Sequence, residues 1–234
     1  MKILIAISIL LLCPAALFEQ AIVVKHKAAA GLPTYSTNLS GCSWGSGAAA
    51  CTMTVAVGDF VHMWCATGEG YGSTSFTASS TPSATWNTDP AGFLNAGYGN
   101  YGEGFWAIMA SSGSTLFSCP GTTTEYHEMI QIYKYTGGSG TRSVEAHSEN
   151  AATSPTTGPF TTTAPTITIV CIEGANGPWL VGTVGGNTGT HFAQSTGGYD
   201  NTACFDYSTT SSLSGAYSVM GGGTTYLIHS VSFK

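Results

Sequence analysis

Past the first sixteen residues, apolar and polar positions alternate with period two along most of the chain, and no stretch of a dozen residues carries helical spacing. Residues 21–27 put Ile22, Val24 and His26 on one face and Val23, Lys25 and Lys27 on the other. Residues 51–57 and 59–66 read as two strands joined at Gly58-Asp59, a tight-turn pair. Residues 104–110 and 114–118 read as a hairpin across Ser111-Ser112-Gly113. Residues 128–135 form a strong strand that Gly137-Gly138-Ser139-Gly140 breaks. Residues 166–172 are almost continuously β-branched, the pattern of a strand covered on both sides. Five further strands are predicted over residues 179–184, 189–194, 203–207, 216–220 and 226–233. Short strands punctuated by turn residues predict an all-β fold, a single antiparallel β-sandwich of jelly-roll or Ig-like topology. Residues 149–165, rich in Thr, Ser, Ala and Pro, read as a long crossover inside it. The pairing of first and last strands would close the unit.

The chain begins differently. Lys2 precedes an unbroken apolar run over residues 3–12, and Pro14-Ala15-Ala16 follows. A basic start, about ten apolar residues and small residues beyond them predict a secretory signal over residues 1–16, cleaved after Ala15 or Ala16. A membrane-spanning helix needs about 20 apolar residues, and Glu19, Gln20 and Lys25 interrupt too soon. Residues 17–234 are then one exported domain, secreted or at the cell surface.

Export changes the reading of the cysteines. Cys42, Cys51, Cys65, Cys119, Cys171 and Cys204 remain beyond the signal, an even number in a chain bound for an oxidising space, and they predict a disulfide framework. Sequence leaves 15 pairings open. Cys42 and Cys51 flank a Gly/Ala-rich segment and pair by proximity, and Cys65 with Cys119 and Cys171 with Cys204 is the simplest completion. No C-x2-C pair and no histidine at ligand spacing points to a metal, and no cofactor is implied.

Only 8% of residues are charged, while 43% are apolar, which excludes a classically disordered chain. Six Lys and Arg against twelve Asp and Glu leave no basic surface for nucleic acid.

A set of short motifs resembles a broad group of secreted bacterial β-sandwich modules. They are Val57-Gly58-Asp59 before an apolar strand, Trp86-Asn87 in a turn, Trp106 on a strand, Tyr135-Thr136-Gly137 and a closing Ser232-Phe233-Lys234. The resemblance spans most of residues 22–234, implies the same fold, and carries no catalytic site; the cysteines are more numerous than that pattern implies.

Candidate chemistry is sparse. The acids are scattered, with Glu128 and Glu173 at the edges of strong strands the best pair for a glycosidase. Glu125-Tyr126-His127-Glu128 divides between two faces of a strand and reads as polar strand entry. His26 and His229 sit on apolar faces of the first and last strands and read as hydrogen-bonded core histidines. No G-x-S-x-G elbow supports a serine nucleophile. The clearest pattern is Gly/Tyr-rich: residues 68–72 and 97–104 read as similar loops whose tyrosines can stack on sugar faces. These observations predict a non-catalytic module for binding or assembly, with an extracellular glycan held by Tyr71, Trp86, Tyr98 and Tyr101, or with copies of itself as partner. The competing readings are an extracellular glycoside hydrolase and a subunit of a surface filament.

Overall fold

The computed structural model describes residues 31–40, 50–67, 75–92, 94–95, 100–121, 128–137, 142–150, 156–163, 165–175, 179–197, 200–221 and 227–234. The predicted strand over residues 21–27, with His26, lies outside them, as do Cys42, Tyr71 and Tyr98.

Every regular element among the described residues is a strand. The first half supplies β1 (Thr34–Ser40), β2 (Ala50–Val55), β3 (Phe60–Thr67), β4 (Ser79–Thr81), β5 (Asn87–Thr88), β6 (Leu94–Asn95), β7 (Tyr101–Ile108), β8 (Gly113–Ser118) and β9 (Glu128–Thr136). The second supplies β10 (Val144–Asn150), β11 (Phe160–Thr161), β12 (Thr166–Ala175), β13 (Trp179–Val184), β14 (Asn187–Thr188), β15 (Thr190–Gly197), β16 (Asp200–Thr209), β17 (Ser214–Gly215), β18 (Tyr217–Gly221) and β19 (Leu227–Phe233). All pairings are antiparallel. One large sheet runs β1-β9-β3-β7-β5, with β6 also on β7, and the other runs β10-β19-β12-β16-β15. Three small sheets, β2-β8-β4, β14-β13-β18 and β11-β17, complete the set.

Period-two alternation explains how these sheets stack. On β3, Val61, Met63 and Cys65 enter a core with Met53, Val55 and Phe117 of β2 and β8, while Phe60, Trp64 and Ala66 enter a second core with Ile167, Ile169, Val231 and Phe233. On β12, β16 and β19 the opposite parity, Val170, Ile172, Phe205 and Ile228, meets Trp179 and Val184 of β13 in a third core. The two large sheets are therefore apolar on both faces, with small sheets closing the outer sides. This explains why every residue of β3 and of β19 is buried. A two-sheet sandwich has one interior; the described residues of this chain form three in series. Each fully buried Trp, Phe or Ile in them contributes roughly 1.5–3 kcal/mol.

The two expected hairpins take another form. β2 pairs with β8, not β3, and β7 pairs with β3, β5 and β6, not β8. At Gly58-Asp59 and at residues 109–113 the chain crosses the first core from one sheet to the next. The two crossings brace each other: Gly58 N donates to Met109 O at 2.8 Å, Met109 N to Asp59 O at 2.9 Å, and Val57 N to Ser112 Oγ at 3.0 Å.

Cys65–Cys119 ties β3 to the end of β8 across this first core, and Cys171–Cys204 joins directly opposed residues of β12 and β16. Sequence separations of 54 and 33 residues set the loops they close. Each stabilises by about 2–4 kcal/mol, chiefly by restricting the unfolded chain. Cys51 is also disulfide-bonded. Among the described residues no helix is long and apolar enough to cross a membrane.

Candidate functional site

Two clusters built on a histidine and an aspartate lie between the large sheets. The first is sealed. His62 shares its face of β3 with Phe60 and Trp64, and His229 shares its face of β19 with Leu227 and Val231, so both rings enter the middle core. Asp89 follows β5 and lies against β7, its N–H donating to Gly104 O at 2.8 Å. Its Oδ2 accepts from Nε2 of His62 and of His229, each at 2.9 Å, and all three side chains are 0–1% exposed. Trp64 stacks on His229 with ring centroids 5.5 Å apart and donates through Nε1 to Thr202 Oγ1 at 3.1 Å.

Burial alone would raise the Asp89 pKa, but the adjacent His62 charge and the hydrogen bonds from His229 and His62 outweigh it and hold the carboxyl far below its ordinary value. The three side chains bond to one another instead of converging on a vacant point, and among the described residues no group of three His, Cys, Asp or Glu is placed to hold a metal ion. The cluster is a clamp between sheets.

The clamp depends on glycine. A Cβ at Gly104 would stand 1.9 Å from Asp89 Oδ2, and one at Gly102 would stand 2.2 Å from the Trp64 ring. Part of the Gly/Tyr segment is thus strand β7, whose glycines make room for inward side chains.

The second cluster opens on solvent. β15 bulges between Thr190 and Ala193 against β16, and His191 takes a left-handed φ of 46°. Such a backbone is strained for a residue with a side chain, and the surroundings hold it. The His191 carbonyl accepts from Asn38 Nδ2 at 2.9 Å and from Tyr133 OH at 2.6 Å. Its ring stacks on Tyr35 with centroids 3.5 Å apart and planes 5° apart. Its Nδ1 meets Asp206 Oδ1 at 2.7 Å.

Asp206, 1% exposed, also accepts from Thr190 Oγ1 at 2.7 Å and from Tyr135 OH at 2.8 Å. Burial raises the phenol pKa values of Tyr35, Tyr133 and Tyr135, and the Asp206 charge raises them further, so all three stay protonated donors. A carboxylate only accepts, so Nδ1 of His191 carries the hydrogen of that contact. In the neutral ring, Nε2 then holds a lone pair on the side away from Asp206.

His191 and Tyr35 line a cavity of about 570 Å³ together with Leu32, Pro33, Thr34 and residues 208–210. The His191 side chain is 40% exposed there. Leu32, Pro33 and Tyr35 give an apolar wall, and hydroxyls line the rest. The arrangement can hold a ligand against a flat ring pair and exchange hydrogen bonds with it through the lining hydroxyls.

Of the four residues expected to bind sugar, two are among the described residues. Trp86 and Tyr101 are half-buried and pack on the first core, Trp86 edge-on to Phe117 at 6.0 Å. Tyr71 and Tyr98 lie outside the described residues. Glu173, expected at the edge of a strong strand, is fully buried within β12, and Glu103 is buried with Oε2 accepting from Phe76 N at 3.0 Å. His229 is a hydrogen-bonded core histidine as expected, with His62 and Asp89 as its companions.

Sequence reasoning passed over His191 and Asp206. Asp206 carries a usable signal: it stands two residues past Cys204, so parity puts it on the core face, where a lone carboxylate needs a partner. His191 carries none, because the bulge breaks the parity that would locate it. Comparison with known protein families, with curated proteins and with solved structures finds no match to this chain.

Proposed function

We propose that this chain is an exported, disulfide-bonded β-sandwich-type module that acts by binding, and that its ligand is a glycan seated in the cleft of Tyr35, His191 and residues 208–210. The observation that carries the reading is the stacked Tyr35–His191 pair at the mouth of a cavity of about 570 Å³. A volume in the usual range for ligand sites, a flat ring surface and several convergent hydroxyls suit a sugar, whose ring has apolar faces and hydroxyl edges. The strain at His191 favours a functional role over a merely structural one, since an ordinary residue at this edge would relax into strand geometry. Export is supported by the apolar run at residues 3–12 and by the disulfides. The resemblance to secreted bacterial modules agrees with it.

The test is a glycan array probed with residues 17–234, followed by titration of any hit. Binding that falls at least tenfold in Tyr35→Ala, with the unfolding midpoint monitored alongside, is expected. A blank array, or a hit that Tyr35→Ala leaves unchanged, overturns this assignment.

A further inference from the structure

The charge at the cleft has one sign. Asp206, 1% exposed, accepts from Thr190 Oγ1, Tyr135 OH and His191 Nδ1 at 2.7, 2.8 and 2.7 Å. An ionised carboxylate is acceptor-only, and three donors around Asp206 suit that form. The His191–Asp206 pair bears one negative charge while the imidazole is neutral and none when it is protonated. In neither state does this wall present a net positive charge. The carboxylate is felt at the cavity, because its charge adds to the burial that raises the Tyr35 phenol.

Among the described residues, nothing along the lining opposes that charge. None of the eight lining residues is Lys, Arg, Asp or Glu. Arg142 donates to Gly31 O at 3.2 Å, one residue before Leu32, but it is 8% exposed and is not part of the lining. Thr34 and residues 208–210 contribute hydroxyls, which give and take hydrogen bonds without carrying charge. The whole chain, at a formal charge of −6, adds a field of the same sign.

We propose that this cleft selects uncharged glycans and rejects acidic ones. The inference rests on the glycan reading of the site and names the class within it. A neutral pyranose lays an apolar face on the Tyr35–His191 rings and exchanges hydrogen bonds with the lining hydroxyls. A uronate, sialic acid or sulfated sugar in the same seat brings a second negative charge near Asp206, gives up part of its hydration and meets no cation among the lining residues. The selection works by repulsion, not by an added contact.

Calorimetric titration of the mature chain at pH 7 tests it with oligomers of glucose, mannose and galactose in three forms: neutral, oxidised at C6 to the uronate, and the methyl ester of that uronate. For a series that binds, the uronate should be at least about tenfold weaker than the neutral form, and the ester, larger but uncharged, should return to within about threefold of it. A uronate within about threefold of the neutral form overturns the proposal. An ester as weak as the acid also overturns it, since size and not charge would then be the cause. Asp206→Asn removes the charge and keeps an acceptor oxygen; in the variant shown to be folded by its urea midpoint, the gap should close to within about threefold, and a gap of wild-type size overturns Asp206 as its origin. Where that variant does not fold, the three forms decide on wild type alone. Hits confined to acidic glycans sink the charge selection and leave glycan binding standing, whereas a blank array removes the glycan reading and the selection with it.

Discussion

Replacing Asp89 should cost more than any other single polar substitution in the middle core, and the cost should depend on pH in a particular direction. Asp89→Asn keeps the shape but removes the charge. A hydrogen bond to a charged acceptor contributes about 1.5–3 kcal/mol and one to a neutral acceptor about 0.5–1.5, so two of them lose roughly 2–3 kcal/mol together. The amide NH2 would also replace Oδ1, which is buried and has no hydrogen-bonding partner among the described residues. Asp89→Ala leaves two buried imidazole donors without an acceptor and should cost about 3–5 kcal/mol.

Urea unfolding at pH 7, with matched m-values, measures both. Because the folded-state pKa of Asp89 lies far below the ordinary value of 3.8, the folded protein binds fewer protons than the unfolded chain in the acid range. Its stabilisation is complete above about pH 5 and declines on acidification by up to about 1.4 kcal/mol per pH unit. The gap between wild type and Asp89→Asn should therefore narrow by about 1 kcal/mol between pH 3.8, where the unfolded group is half protonated, and pH 2.8. Other carboxylates titrate in both proteins and cancel in the difference. An Asp89→Asn protein within 0.5 kcal/mol of wild type at pH 7 (about the error of such a difference), or a gap that is constant down to pH 2.8, refutes the account of the clamp.

Two further outcomes follow from the same geometry. Gly104→Ala puts a methyl group 1.9 Å from Asp89 Oδ2, and neither β7 nor the twice-bonded carboxylate can give way, so it should destabilise by more than about 3 kcal/mol in urea or prevent folding. Diethyl pyrocarbonate, which acylates accessible neutral imidazoles, should modify His191, 40% exposed, in the native protein and spare His62 and His229, 0% and 1% exposed, until urea unfolds it; mass mapping that finds His62 modified under native conditions would contradict the sealed core.

Strand positions were largely legible because burial on one or two faces writes itself into the sequence as alternation or as a continuous apolar run. β13 spans the residues expected of it, and β12, β9 and β19 depart from expectation by a few residues at their ends. Pairing was not legible. A Gly58-Asp59 turn between two alternating strands looks the same whether the chain folds back on itself or crosses to another sheet, and here it crosses. The continuous burial of β3 and β19 held the information that sheets are covered on both sides, yet that pattern does not say what covers them. The disulfide expectations for Cys65, Cys119, Cys171 and Cys204 hold, while the partner expected for Cys51 lies outside the described residues. His229 stood out as a polar residue on an apolar face; its aspartate is 140 positions away, beyond any reading of local spacing.

The chemistry of the two His–Asp clusters is nearly the same, and their placement separates them. In the clamp each histidine gives its Nε2 to the carboxylate, Trp64 covers one ring, and no side of the cluster meets solvent. In the cleft the contact is made through Nδ1, the ring stacks on Tyr35, and the side chain is 40% exposed where it lines the cavity. The first arrangement uses a buried charge to fix the distance between two sheets. The second sits where β1 approaches the bulge of β15, at the margin of the same pair of sheets, and so inherits a fixed frame without being enclosed by it. A rigid interior next to a strained, solvent-facing histidine is the combination a preorganised site requires: the sheets bear the strain at residue 191.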